Sequence, residues 1–330
     1  MSGNLQTDRY PTADFFVCDI FDALPKGDLA SMEHPIFSLS TRPDRSVTRY
    51  AHGEVAVEIT PSVRGRATIH DKDILIYCIS QLMAALNAGR AVSRVVHLTA
   101  HDLLVATNRE TSGDGYKRLR EAFERLAGTR ITTNIRTGDQ EVTTGFGLIE
   151  SWQIVRKSRG GRMVSVMVTL SDWLFRAVTA KTVLTLSRDY FRLRRPLERR
   201  LYELVRKHCG RQPEWRCSLD TLLKKSGSTS PRRVFRAMLR DIIARDTLPD
   251  YQMELGPDDV MRASPRSVIE AGPDLPPLAP ATIEAARDLR PGADVYALEA
   301  EWRTWWAASG RRLVRAPDKA FLGWLRARHK

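Results

Sequence analysis

The fold is decided by residues 187–245, which read SRDYFRLRRPLERRLYELVRKHCGRQPEWRCSLDTLLKKSGSTSPRRVFRAMLRDIIAR. This stretch contains 17 lysine and arginine residues against 6 aspartate and glutamate residues, a net charge of +11 in a chain whose total is +13. Apolar residues at helical spacing predict three successive helices, over Ser187–Arg206, Ser218–Lys225 and Ser230–Arg245. A compact set of three helices with concentrated positive charge is typical of a nucleic-acid-binding module.

The third helix of this stretch is expected to enter DNA. Ser230 is the predicted N-cap, with Pro231 at the first helical position. One face carries a stripe of arginines opposite an apolar seat: Arg232, Arg233, Arg236 and Arg240. Arginine can contact both guanine edges and phosphates, so this face predicts major-groove recognition. Arg232, Arg233 and Arg236, near the start of the helix, are the candidates for guanine contact, and Arg240 is expected to meet the DNA backbone. Lys224 and Lys225, at the end of the preceding helix, are expected to contact the DNA backbone, and Leu248–Leu255 is the expected wing strand. The alternative is a helix with an ordinary solvated basic face.

Composition limits the classes of partner. The 330 residues predict about two domains, and the isoelectric point of about 9.9 predicts an acidic polymer as partner, with nucleic acid favoured over an anionic membrane surface. No apolar run approaches membrane-spanning length, and the N-terminal residues do not resemble a signal peptide, so a cytoplasmic protein is expected. The four cysteines lack the spacing of a metal site, so we expect reduced thiols, no metal and no cofactor.

The N-terminal half repeats the architecture of the basic stretch. Strands are expected between residues 31 and 70, followed by helices over Asp71–Asn87, His97–Thr107 and Asp114–Ala127. A hairpin centred on Gly138 follows them and is the expected wing of this domain. The third of these helices carries a second set of DNA-contact candidates: Tyr116, Lys117, Arg118 and Arg120. Three helices with a β-wing, occurring twice, predict an α+β protein with tandem winged-helix domains.

The C-terminal region is expected to be separate. Residues 257–281 hold six of the 17 prolines and predict a semi-rigid linker, and residues 282–330 predict a small helical module. Its tryptophans at helical spacing, Trp302, Trp305 and Trp306, are expected either to form the core of the module or to contact single-stranded bases or a host protein. The remaining divisions are an N-terminal segment at 1–30, a first winged helix at 31–180 and a second at 181–256.

Catalytic motifs are missing from the sequence. It contains neither the phosphate-binding loop pattern GxxxxGK[ST], nor HEXXH, nor the His-x-His pair that rolling-circle initiators require. No nucleophile–base arrangement follows from the spacing of the remaining candidates. We therefore expect a binding protein without catalytic residues.

Several uncommon strings resemble one family. MEHPIFSLS at 32–40, ITPSV at 59–63, ATIHDKDILIY at 67–77, LAGTRITTNI at 126–135 and FGLIE at 146–150 occur in the order found in the plasmid replication initiator protein A family of bacteria. The resemblance covers roughly residues 14–256. It implies a theta-type initiator that binds repeats in double-stranded plasmid origin DNA, helps open the duplex and recruits host replication proteins such as an initiator, a helicase or a primosome.

The resemblance also bears on the assembly state and on the competing hypotheses. Related tandem winged-helix initiators switch between dimers that repress and monomers that initiate, so a homodimer is an expected partner. Two alternatives use the same modules: a transcriptional regulator without initiator activity, and an enzyme such as a nuclease or relaxase. Plasmid maintenance in trans separates an initiator from a regulator, whereas DNA nicking or a covalent tyrosyl–DNA adduct would indicate the enzyme.

Overall fold

The protein consists of two compact units. The computed structural model describes residues 5–10, 18–19, 35–52, 55–137, 140–156, 163–179, 183–210, 212–266, 278–290, 295–308 and 316–327. One unit comprises Met1–Leu82 and Val92–Arg266, and the other comprises Met83–Ala91 and Ser267–Lys330. Within these described ranges, no helix is both long and apolar enough to cross a membrane.

The first unit begins with short strands and then forms a winged helix. The strands are β1 (Cys18–Asp19), β2 (Thr48–His52) and β3 (Val55–Thr60). The winged helix follows with α1 (Lys72–Asn87), β4 (Val95–Leu98), α2 (Ala100–Ala106), α3 (Gly113–Gly128), β5 (Arg130–Thr137), β6 (Gln140–Gly147), β7 (Ile149–Arg156) and β8 (Met163–Leu170). After α1, the helices α2 and α3 form the helix-turn-helix. Strands β7 and β8 form the wing, and β4 pairs with β8, so the sheet has the order β4–β8–β7.

The hairpin β5–β6 is an insertion and not the wing of this domain. Its strand β5 pairs with β3, and β6 pairs with β5, in a four-stranded antiparallel sheet of order β2–β3–β5–β6. The prediction of a wing centred on Gly138 was therefore wrong, because the wing is formed by β7 and β8. The predicted helix over His97–Thr107 was also wrong at its start, where β4 pairs with β8 and Thr99 caps α2 by accepting a hydrogen bond from the backbone N–H of Asp102.

A second winged helix repeats the same topology. It is preceded by α4 (Asp172–Thr179), β9 (Leu184–Thr185), which pairs with β1, and a 3-10 helix (Arg188–Arg192). Its elements are α5 (Pro196–His208), β10 (Trp215–Ser218), α6 (Leu219–Ser226), α7 (Arg232–Arg245), β11 (Tyr251–Leu255) and β12 (Val260–Pro265). The strand order β10–β12–β11 matches that of the first domain, so the predicted tandem winged-helix architecture is confirmed.

Two predicted boundaries were wrong in this region. Helix Ser187–Arg206 is interrupted, because the chain is extended at Leu193 and Arg195 before Pro196 starts α5. A domain end at 256 would separate β11 from β12, the central strand of the sheet, so residues 257–266 belong to the second winged helix and not to a linker. Proline-rich composition concealed this strand from sequence analysis.

The two winged helices share one core. Ile76 of α1 lies in the same apolar cluster as Tyr190, Leu197 and Phe235 of the second domain, and all four are buried. The N-terminal residues also bridge the domains. The backbone N–H of Gln6 donates to the carbonyl of Arg192 at 2.9 Å, and the backbone N–H of Arg9 donates to Oδ1 of Asn108 at 2.8 Å, so this segment is not structurally separate from the winged helices.

The second unit contains a small helical core of its own. Its helices are α8 (Pro280–Leu289), α9 (Val295–Ala308) and α10 (Pro317–Ala327). Buried residues from all three helices pack together: Ile283, Ala286, Val295, Trp302, Phe321 and Leu325. Helix α8 starts within the predicted linker, where Pro280 at the first helical position requires no N–H partner.

Candidate nucleic-acid interface

Helix α7 holds the position of a recognition helix. It follows α6 after a turn in which Gly227 adopts a left-handed φ of 72°, and a side chain at Gly227 would also collide with Pro35. The N-cap of α7 is Pro231 and not Ser230, and the cap forms no side-chain hydrogen bond. Phe235, Leu239 and Ile242 are buried and seat the helix, as its apolar stripe predicted.

The exposed face of α7 combines cations with small side chains. Arg233, Ala237, Arg240 and Ala244 are all exposed and fall at helical spacing on one face. Arg233 and Arg240 form no ion pair with another described residue. Val234, next to Arg233, is 41% exposed, and an apolar side chain there can contact a thymine methyl group. The face therefore offers free guanidinium groups and allows close approach of a DNA groove.

Arg232 and Arg236, predicted as base contacts, are engaged with carboxylates. Arg232 Nε lies 2.6 Å from Asp220 Oδ1, and Arg232 Nη2 lies 2.8 Å from Asp259 Oδ2. Arg236 forms an ion pair with the same oxygen of Asp259. Partial burial alone would raise the pKa of Asp259, but the hydrogen bonds from the two arginines outweigh it and lower that pKa. Asp259 was missed by sequence analysis because it lies in the predicted linker.

The two lysines that precede α7 differ in their surroundings. Lys224 is exposed at the end of α6, whereas Lys225 is half-buried. The carbonyl of Lys225 accepts hydrogen bonds from Nε and Nη2 of Arg200, at 3.2 and 2.8 Å. Lys224 is therefore better placed than Lys225 to contact DNA phosphates.

The candidates of the first winged helix lie on α3, which also occupies the recognition position. Ser112 caps α3 by accepting a hydrogen bond from the backbone N–H of Gly115. The three exposed cations of α3 differ in whether they form ion pairs. Arg118 lies 2.9 Å from Glu110 and Arg120 lies 3.3 Å from Glu124, whereas Lys117 has no ion pair with another described residue. Tyr116 is half-buried. This helix consequently offers fewer free cations than α7.

Much of the basic charge of residues 187–245 is used within the protein. At least eight arginines there form ion pairs in the described structure: Arg192, Arg195, Arg199, Arg200, Arg216, Arg232, Arg236 and Arg245. Others are exposed and form no ion pair with a described residue: Arg194, Lys224, Arg233 and Arg240. The net charge of +11 therefore overstates the charge available to a polyanion.

A buried ionic network joins the two winged helices. Lys72 Nζ of α1 lies 2.7 Å from Glu203 Oε1 of α5, and the hydroxyl of Tyr190 donates to the same oxygen at 2.7 Å. Burial alone would raise the pKa of Glu203, but the charges of Lys72 and Arg200 outweigh it and lower that pKa. Buried charges are stable only when paired and hydrogen-bonded.

A second pair completes the network. Arg199 Nη1 lies 2.5 Å from Asp73 Oδ1, and side chains of both residues are at least 96% buried. Arg199 also donates from Nε to the carbonyl of Leu193 at 3.0 Å and from Nη2 to that of Phe191 at 3.3 Å. Asp71 is held by Arg125 at 2.7 and 2.8 Å within the first winged helix. Lys72 and Asp73 are therefore the residues of the string at 70–73 whose ion pairs join the two domains.

His70, which precedes these residues, is held neutral. Burial, assisted by the positive charges of Arg199 and Arg109, lowers the pKa of His70 from 6.5 to about 2. In the unfolded chain the imidazole takes up a proton near pH 6.5, whereas in the folded protein it does not until about pH 2. The unfolded state therefore binds more protons between these values, and this group makes the protein less stable as the pH falls below 6.5.

We expect replacement of His70 by asparagine to reduce the acid sensitivity of folding. In the wild-type protein, protonation of His70 in the unfolded state lowers the free energy of unfolding by about 2 kcal/mol between pH 7 and pH 5. Urea unfolding at both pH values should show that the loss in the His70→Asn variant is smaller by about this amount. His101→Asn, at an exposed position of α2, is the matched control and should keep the wild-type pH dependence. Equal pH dependence in all three proteins would contradict the prediction.

The three tryptophans proposed as contacts differ in how far they are buried. Trp302 is fully buried in the core of the second unit, with its ring centroid 5.5 Å from that of Phe321. Trp305 is 43% exposed, and Trp306 is half-buried. The interpretation of Trp302 as a core residue is therefore confirmed, and Trp305 is the member of the set most accessible to a base or a protein partner.

Comparison with known proteins gives both a family and a fold. The chain matches the family model described as Replication initiator protein A over residues 26–253. It is 38% identical over 244 residues to a curated protein of Wigglesworthia glossinidia brevipalpis described as a replication protein, a match that covers 73% of this chain and 88% of that protein.

Two crystal structures of domains 2 and 3 of RctB resemble the fold. The first, of selenomethionine derivatives, has a TM-score of 0.54 and covers 71% of this chain and 95% of its own. The second has a TM-score of 0.51 and covers 72% of this chain and 97% of its own. Both are 14% identical in sequence, so their likeness concerns the fold alone.

Proposed function

Because the chain belongs to the replication initiator protein A family, we propose that it starts plasmid replication by binding repeats in double-stranded origin DNA. In this proposal it helps open the duplex and recruits a host initiator, helicase or primosome, acts in the cytoplasm and has no catalytic activity of its own. The observation that carries the proposal is the exposed face of α7, on which Arg233 and Arg240 have no ion pair with a described residue. A homodimer belongs to the same proposal, as the form that would repress initiation.

The proposed division of labour follows from the charges. Helix α7 presents Arg233 and Arg240 without carboxylate partners among the described residues, and Lys224 lies exposed at the end of α6. On α3, Arg118 and Arg120 are each paired with a glutamate. We therefore assign the main base contacts to the second winged helix and additional backbone contacts to the first.

Arg233→Ala should reduce affinity for the origin repeat and relax base preference at one position. Side chains near the start of a recognition helix point toward the groove floor, and a bidentate arginine–guanine contact contributes about 1–3 kcal/mol of discrimination. Lys224→Ala should instead weaken cognate and random duplexes about equally and reduce the salt slope by roughly one unit. Fluorescence anisotropy on duplexes defined by footprinting the DNA beside the coding region measures both quantities.

The ratio of cognate to random affinity decides this experiment. It should fall in Arg233→Ala and stay constant in Lys224→Ala, because phosphate contacts carry no sequence information. An unchanged ratio in Arg233→Ala would show that Arg233 does not read a base.

A regulator with the same modules is the second candidate function, since the winged helices alone would serve either role. It is distinguished by supplying the protein in trans to a replicon that carries only the origin. An initiator maintains that replicon, whereas a regulator does not. Absence of nicking and of a tyrosyl–DNA adduct in the same reactions would support a non-enzymatic role.

A further inference from the structure

We propose that Asp259, in the wing turn between β11 and β12, is a specificity-determining positioning residue for the recognition helix α7. Its carboxylate forms ion pairs with Arg232 and Arg236. These ion pairs weaken the binding of both arginines to DNA phosphates, which are the same in every DNA sequence. The inference rests on the proposed DNA-binding function and assigns to the wing a role beyond backbone contact. In this arrangement Arg233 and Arg240 contact DNA without a carboxylate partner among the described residues, while the two held arginines are reserved for additional base edges.

The position of Asp259 is fixed by its backbone. Its φ is 55°, in the left-handed region, and its N–H donates to the carbonyl of Gly256 at 3.2 Å within the turn. Its own carbonyl accepts a hydrogen bond from the backbone N–H of Leu219 at 2.8 Å, which ties the wing to the start of α6. The carboxylate is therefore presented from a defined point and not from a freely rotating chain.

The two arginines keep donors for a further partner. A guanidinium has five N–H donors. Arg236 contacts Asp259 through Nη2 and its Nε is buried, which leaves Nη1 for a further partner. Arg232 uses Nη2 for Asp259 and Nε for Asp220, which leaves Nη1. An arginine held from one side can still address the O6 and N7 atoms of guanine from the other.

A carboxylate next to these arginines penalises phosphate more than guanine. Phosphate carries a full negative charge and is repelled by Asp259, whereas the guanine edge offers neutral acceptors. Repulsion of the wrong partner is a general source of specificity. Removing the carboxylate should therefore strengthen binding to random DNA while the cognate complex loses the orientation of its arginines.

The test compares Asp259→Asn with Asp258→Asn in the full-length protein. Asparagine tolerates the left-handed conformation required at 259. Both variants remove one negative charge from the same turn, but Asp258 pairs with Arg262 of β12, at 2.9 Å, and not with α7. We expect the ratio of cognate to random affinity to fall about tenfold or more in Asp259→Asn, the scale of one bidentate base contact. It should stay at the wild-type value in Asp258→Asn.

A double-mutant cycle distinguishes the loss of the Asp259–Arg236 contact from a general disturbance of the wing. In an Arg236→Ala background, Asp259→Asn should change the ratio by less than about threefold, because one of the arginines it positions is gone. Equal ratios in the two aspartate variants, or an undiminished effect in the Arg236→Ala background, would overturn the inference. If the wild-type protein itself shows no preference for its origin repeat, the proposed function fails and not only the role of Asp259.

Discussion

Replacing Arg199 by methionine is expected to lower the free energy of unfolding by about 3–5 kcal/mol, the scale measured when one partner of a buried ion pair is removed. The guanidinium of Arg199 serves Asp73 of the other winged helix and the carbonyls of Phe191 and Leu193. Methionine fills much of the volume but leaves these acceptors with fewer donors. Among the described residues, Asp73 then keeps the ion pair with Arg109 at 3.1 Å.

Arg176→Met provides a matched control for this substitution. Arg176 pairs with Asp172 at 2.7 Å, but its side chain is 79% exposed. Because solvent screens such pairs, we expect a change of less than about 1 kcal/mol. Urea unfolding followed by circular dichroism measures both variants. Similar losses in the two would show that the network between the domains does not stabilise their junction.

If the chain binds origin DNA as proposed, the network also links stability to DNA recognition. The two recognition helices can contact one duplex together only if their domains keep a fixed relative placement, and Lys72, Asp73, Arg199 and Glu203 lie at that junction. Arg199→Met should therefore weaken binding to the full origin repeat even at temperatures where the protein remains folded. This arrangement gives a physical reason for the charged string at 70–73, which sequence analysis could use only as a mark of resemblance.

Local patterns predicted the helices well because each contains its own signals. The apolar stripe of α7, the cap Ser218 before α6 and Gly227 after it are all in the sequence and all appear in the structure. The last two residues of the short strand β4 were predicted as helix, because β4 acquires its conformation from pairing with β8, which is far away in the chain. Strand β12 was missed for the same reason, since its partners β10 and β11 determine it.

The site was less predictable than the fold. Spacing placed four arginines on the surface of α7, but it could not show that Asp259 would reach two of them from the wing. Nor could it show that Arg199 points into the junction with α1. Ion pairs between residues distant in sequence depend on tertiary packing, so a sum of charges along the chain does not identify the surface that DNA can contact.

Trp302→Ala is expected to unfold the helical core of the second unit, with a loss of about 3–5 kcal/mol, the range for removing a large buried aromatic side chain. Trp302 is fully buried and packs against Trp306 and Phe321. Urea unfolding followed by tryptophan fluorescence measures this loss. The variant should lack the unfolding transition of the second unit. Binding to duplex DNA should remain, because the second winged helix with α7 belongs to the other compact unit.

Trp305→Ala is the matched substitution on the same helix, and it tests function without loss of the core. Trp305 is 43% exposed, and its ring lies 6.2 Å from that of Trp306 and 6.4 Å from that of Trp324. The loss of stability should therefore be about 1–2 kcal/mol, smaller than for Trp302→Ala. If Trp305 stacks on a base of the opened origin, where each contact contributes about 1–3 kcal/mol, or docks on a host replication protein, replication in trans should fall while duplex affinity stays constant. Full replication by a folded Trp305→Ala variant would show that replication requires no contact by the Trp305 side chain. Loss in Trp302→Ala alone would then mean that replication needs the folded module but not this exposed ring.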